Sequence, residues 1–173
     1  MIATFLQDDL AADLAETFKH FRLKNPQGET VSLNIFKQSL PIPTAKDIPD
    51  TVTDEDLEEG IYNAEAEEDP YPYIIVRVEQ GTIENIDQEQ AVIVNLIIGV
   101  IDRDYKNQGH KDVLNIIQKI YERFAKNAIL AKKYECVMPI EWALQDEESY
   151  PYFFGGMALK FETIPIRRED PYA

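Results

Sequence analysis

Leu6, Leu10, Leu14, Phe18 and Phe21 recur at helical spacing near the start of the chain, with Asp8, Asp9, Asp13, Glu16 and Lys19 between them. One apolar and one charged face predict an amphipathic helix over residues 2–22. Asn25-Pro26-Gln27-Gly28 then reads as a turn, and Val31, Leu33 and Ile35 alternate with Ser32 and Asn34 in the period of a strand with one wet face. Residues 73–79 and 91–101 are rich in Ile and Val and are separated by a polar stretch holding Gly81 and Asn85, which predicts an antiparallel pair with a long connection. The second of these is apolar on both faces. It belongs in the middle of a sheet, covered on each side by a helix or by another subunit.

After a loop at residues 102–109, Val113, Ile117, Ile120, Phe124 and Ala128 form one helical stripe, widened by Leu114 and Tyr121, so a second helix is expected over residues 111–131. Alternation returns twice. Tyr134, Cys136, Met138, Ile140, Trp142 and Leu144 share one face of a strand at 134–144, and Met157, Leu159 and Phe161 share a face of another at 157–166. The order α-β-β-β-α-β-β predicts an α+β fold: a mainly antiparallel twisted sheet of about five strands packed with two helices, in a single domain over residues 1–173. Two short echoes, Asp69-Pro70-Tyr71-Pro72-Tyr73 and Ser149-Tyr150-Pro151-Tyr152, each lead into a strand, where proline holds the entering chain extended.

Charge changes the picture at residues 41–72. This stretch has five prolines and eleven acids against one base, Lys46, so it carries −10 of the chain's formal −15. It reads as an acidic, proline-containing loop or arm, of a length that is usually functional or disordered. A chain at −15 repels nucleic acid phosphates, so sequence-reading of a duplex is not expected. Cys136 is the one cysteine, which excludes an intrachain disulfide or a thiolate metal cluster within one chain; its apolar strand face points to core packing. The N-terminal residues lack the basic start of a signal peptide, and the apolar run 91–101, interrupted by Asn95, is too short to span a bilayer as a helix. A soluble protein with no membrane partner is expected.

Candidate chemistry is sparse. His20 and His110 are the only imidazoles, and no Ser, Cys or Thr stands with a base in a nucleophilic pattern. The seven glycines form no phosphate-cradling loop ahead of a helix, so no cofactor is called for. Asp102, Asp104 and His110 follow the central strand, where they could gather around a divalent ion in a metal-dependent enzyme. Their spacing matches no ligand motif. In the plainer reading the aspartates end the strand, Gly109 allows a tight turn, and polar groups at residues 107–112 satisfy the free amides of the helix start. Catalytic, cofactor and metal residues are therefore left unassigned. Tyr152, Phe153 and Phe154 at the entry to the last strand, and Arg167 and Arg168 at its exit, are the residue types that anchor interfaces, and they are the candidate docking residues.

Three stretches carry a resemblance. The first is Pro72-Tyr73-Ile74-Ile75-Val76-Arg77-Val78 with the acidic polar loop after it. The second is Ile97-Ile98-Gly99-Val100-Ile101-Asp102 leading through Gln108-Gly109-His110-Lys111-Asp112-Val113-Leu114 into a helix. The third is Pro139-Ile140-Glu141-Trp142 with Tyr150-Pro151-Tyr152-Phe153-Phe154-Gly155-Gly156-Met157 and the ending Ile164-Pro165-Ile166-Arg167-Arg168-Glu169. In this joint order the chain resembles the tail terminator (tail completion) proteins of Gram-positive phages and phage-derived contractile particles. The resemblance runs from Pro72 to Glu169. It implies a non-catalytic virion subunit, assembled in the bacterial cytoplasm, that forms a homo-oligomeric and typically hexameric ring. Such a ring binds the end of the tail tube, meets the neck connector and the sheath, and lets DNA pass without specific binding. Another neck, head-tail joining or tail subunit of similar fold is the alternative within the same class; the metal-dependent enzyme is the alternative outside it.

Overall fold

The computed structural model describes residues 2–41, 70–84 and 88–163. Helix α1 (Ile2–Thr17) buries Leu6, Leu10 and Leu14 completely, each worth ~1.5–3 kcal/mol of transfer free energy. It stops earlier than the expected Arg22. Phe18 turns the chain, Phe21 packs edge-on against it at 5.4 Å, and Arg22 already belongs to a strand. That strand, β1 (Arg22–Lys24), pairs antiparallel with β2 (Thr30–Ser32). The turn between them uses Gly28 at φ 84, a conformation glycine adopts at no steric cost, and Asn25 Oδ1 accepts the Glu29 N–H at 2.8 Å.

The alternation through Val31, Leu33 and Ile35, expected as one strand, is divided between two sheets. Strand β3 (Asn34–Lys37) leaves the hairpin and pairs parallel with β4 (Tyr73–Thr82). The other elements are β5 (Gln90–Ile101), α2 (His110–Lys126), β6 (Ile129–Leu130), β7 (Tyr134–Leu144) and β8 (Tyr152–Thr163). The main sheet runs β3-β4-β5-β8-β7-β6, antiparallel except for β3–β4. Among the described residues the fold is thus α+β, with two helices and a curled mixed sheet of six strands where about five were expected.

Strand β5 takes its expected central place, paired over its length with β4 and β8. Val92, Val94, Leu96, Ile98 and Val100 on one face join Leu6, Leu10 and Leu14 of α1, Val113, Ile116, Ile120 and Phe124 of α2, and Leu159 and Phe161 of β8 in a single core. Both helices therefore lie on the same face. Arg123 of α2 bridges to Asp13 of α1 at 2.8 Å. On the opposite face Ile93, Asn95 and Ile97 are half-buried, and no helix among the described residues packs over them.

Three further boundaries differ from expectation. Helix α2 ends at Lys126, because Asn127 is extended and its Oδ1 accepts the Ile129 N–H; Ala128 lies outside the helix, Tyr121 is exposed, and Ile116 fills the stripe instead. Strand β8 starts at Tyr152, five residues before Met157, and the expected end at Ile166 lies outside the described residues. On β7, Tyr134 and Cys136 are buried, but Met138 and Trp142 are 58% and 55% exposed rather than part of the core. The ladder to β8 jumps between Val137 and Glu141, and β6 covers only Tyr134 and Glu135, so among the described residues the rest of β7 is a sheet edge. Burial pushes the Cys136 thiol up to about 11, with Arg123 opposing, which makes it a packing residue rather than a nucleophile.

Candidate functional site

The chemistry-bearing residues collect at one end of the sheet, where β5 ends and β8 begins with Ile101 opposite Tyr152. The chain leaves β5 with Asp102 N–H donating to the Pro151 carbonyl at 2.9 Å. Asp102 Oδ1 then accepts the Asp104 N–H at 2.9 Å, and Asp104 Oδ1 accepts the Lys106 N–H at 3.0 Å. Both carboxylates are used in Asx turns. Among the described residues no three His, Cys, Asp or Glu side chains are grouped to hold a metal ion. His110 opens α2 and faces the cleft described below.

Gly109 is not a left-handed turn residue: its φ is −62. Glycine is required there by proximity, since a Cβ would come within 2.4 Å of the Phe153 ring and 2.8 Å of Asp102 Cβ. The left-handed position is Asn107, at φ 52, a residue type that tolerates it. The helix start has no side-chain cap. Instead Lys111 N–H donates to the Gln108 carbonyl at 3.1 Å and Asp112 N–H to Gly109 at 3.0 Å, replacing the expected polar side chains. Burial, with the Asp102 charge adding to it, raises the Asp112 carboxyl above its ordinary range.

Two contacts hold the loop 102–109 against the β7–β8 connection. Asn107 Nδ2 donates to Glu148 Oε1 at 3.0 Å, and the Tyr150 hydroxyl donates to the Arg103 carbonyl at 2.9 Å. Between them opens a cleft of about 220 Å³, with Asn107 and His110 on one side and residues 144–150 and 152–154 on the other. Asp146, Glu147 and Glu148 are exposed on its rim.

All three candidate aromatics line this cleft, but the pleat divides them. Phe153 pairs opposite Val100 on the helix side and packs against the core. Tyr152 and Phe154 emerge on the other face, 4.9 and 6.0 Å from Tyr71, which itself lies 5.0 Å from Tyr73. Gly99 makes room for the Tyr73 ring, which a Cβ would meet at 2.5 Å. The two Pro-Tyr echoes thus meet in space, a proximity that neither shows by itself. Arg167 and Arg168 lie outside the described residues, as does most of the acidic segment, residues 42–69. His20 is exposed and does not line the cleft. The acidic rim and the Asn107 tie were not singled out from sequence.

No helix among the described residues is long and apolar enough to cross a membrane. Comparison of the sequence with protein-family models finds no match, and comparison with curated proteins finds none.

Proposed function

We propose that this chain is a non-catalytic structural subunit of a phage-type tail, a terminator that closes the head-proximal end of the tail tube as a homo-oligomeric ring. The observation that carries the reading is the one-sided sheet: β5 is apolar on both faces, yet both helices cover the same one. The half-buried Ile93, Ile97 and Phe154 on the second face are surface that a ring subunit covers against its neighbour or the tube. The ordered resemblance from Pro72 to Glu169 supplies the kind of ring. Acidic subunits suit a channel for DNA, because a negative lumen does not hold the passing duplex. The aspartates after β5 serve turns, which favours this reading over the metal-dependent one.

Electron microscopy and native mass spectrometry of the purified chain, alone and with tail tubes, test the proposal. The expected result is a ring, hexameric in the family it resembles, bound once at one end of each tube. Finding the chain repeated along the tube, or monomeric in the presence of tubes, would overturn it.

A further inference from the structure

The cleft between the loop 102–109 and the β7–β8 connection is smaller than the ~300–1,000 Å³ of small-molecule sites, and its size suits one or two side chains. Its chemistry is mixed. Tyr150, Tyr152 and Phe154 offer ring surface, while Asp146 and Glu147 bring carboxylates to the rim beside Glu148, which Asn107 engages. Aromatic surface next to carboxylates is the environment that receives a guanidinium, through stacking on the rings and forked hydrogen bonds to the acids.

We infer that the cleft takes Arg167 and Arg168 of a second copy of this chain. The inference rests on the ring reading and names the contact that would join its subunits. Charge complementarity selects the dibasic pair. Reach selects the second copy. Strand β8 runs 12 residues from the cleft to Thr163, about 36 Å at ~3.3 Å per residue. The arginines lie only four and five residues past Thr163, within about 18 Å of it even if fully extended. They cannot fill the cleft of their own chain. A contact from the far end of one sheet to the near end of the next is heterologous, and it closes into a ring when the rotation between copies divides a full turn. Glu169 and Asp170 follow directly, so the segment has no net charge and the attraction is confined to the guanidinium groups themselves.

The test uses the full chain and a peptide of residues 163–173. Self-association is measured by sedimentation for wild type, for Arg167→Glu with Arg168→Glu, for Asp146→Arg with Glu147→Arg, and for an equimolar mixture of the two variants. Thermal unfolding of each checks the fold. The expected result is at least tenfold weaker association in each variant alone. In the mixture, association recovers through pairing of reversed tail with reversed cleft. Because the cleft variant could misfold, peptide binding to the arginine-reversed full chain is read separately; that chain should bind the wild-type peptide and not one with both arginines replaced by alanine. Unchanged association in both variants, or equal binding of the two peptides, overturns the inference. If rings form on tubes regardless of these changes, the ring reading stands and this contact falls. If the charge effects appear but no tube is bound, the contact stands and the tail reading falls.

Discussion

Replacing Gly109 with alanine adds one methyl group at the junction of the loop, α2 and β8. The backbone there is already helical, at φ −62, so alanine is allowed and by restricting the unfolded chain would stabilise by ~0.4–1 kcal/mol. Packing opposes this. The new Cβ would sit 2.4 and 2.5 Å from two atoms of the Phe153 ring and 2.8 Å from Asp102 Cβ, so it is wedged from two sides. The ring is held against the core, and Asp102 Cβ is fixed to a backbone tied to Pro151. Overpacking of this kind costs ~1–3 kcal/mol, which outweighs the entropic gain and leaves a net loss of about 1–2 kcal/mol. For a chain of this size that lowers the melting temperature by about 2–8 °C. Urea unfolding of Gly109→Ala, Phe153→Leu and the double variant measures it, and the double variant should recover about 1 kcal/mol relative to additivity. A Gly109→Ala protein as stable as wild type, or additive effects in the cycle, would refute the close-approach account of this glycine.

Asp13→Ala should destabilise by about 1–3 kcal/mol in urea, above the ~0–1 kcal/mol of an exposed pair, because the Arg123 contact is bidentate and both side chains are only about one-fifth exposed; a loss below 0.5 kcal/mol, on the order of surface pairs, would remove the bridge as a link between the helices. Asp112 has a folded pKa raised above 3.8 by burial and by Asp102, so the native state holds its proton more tightly than the unfolded chain. Its contribution to stability therefore falls as pH rises from 3.8 through the folded pKa, and Asp112→Asn should remove that slope in thermal unfolding measured across mildly acidic pH. An unchanged slope would show that Asp112 is not the group responsible.

Where one element alone decides a pattern, the pattern is readable in the chain. Leu6, Leu10 and Leu14 lie on one side of any helix that contains them, and the Val- and Ile-rich run from Val92 to Val100 reads as a buried strand through its β-branched residues. What was not legible depends on partners distant in sequence. The break at Leu33 follows from β3 pairing with Tyr73–Val76, about 40 positions away, while β2 stays with β1. Met138 and Trp142 keep the alternation of a buried face, but a bulge and the shortness of β6 leave that part of β7 exposed. Gly155 and Gly156 interrupt the apolar period of β8 and hide its first turns of alternation. The candidate site is the same case: Tyr152 and Phe154 were readable as aromatics at a strand entry. That they share a cleft with Asn107 and a cluster with Tyr71 is set by the register of β4, β5 and β8 together.

The two edges of the sheet are finished differently, and this bears on how copies could meet. Beyond Lys37 the edge of β4 is closed by one residue. Gln38 donates its backbone N–H to the Val76 carbonyl at 2.9 Å; its side-chain amide donates to the Val78 carbonyl at 3.1 Å and accepts the Val78 N–H at 3.2 Å. Arg77 and Gln7 add bonds to the Gln38 carbonyl and side chain, and the residue is held at φ 69, a conformation rare for glutamine. The Val78 groups that an added strand would use are thus already occupied. At the other side, β7 past β6 has no strand partner on its outer edge among the described residues, but three residues, 138–140, oppose one on β8, and Pro139 among them has no N–H to offer. A regular ladder cannot continue across that bulge. A regular added strand is therefore disfavoured at Val78 of β4 and across the β7 bulge, and in the proposed ring the side-chain surfaces left for contact are the open face around Ile93 and Ile97, the exposed Trp142, and the aromatic-acidic cleft at the start of β8. Such contacts fix an angle between copies through side-chain packing rather than through strand register. In the proposed ring, closure then depends on that angle dividing a full turn.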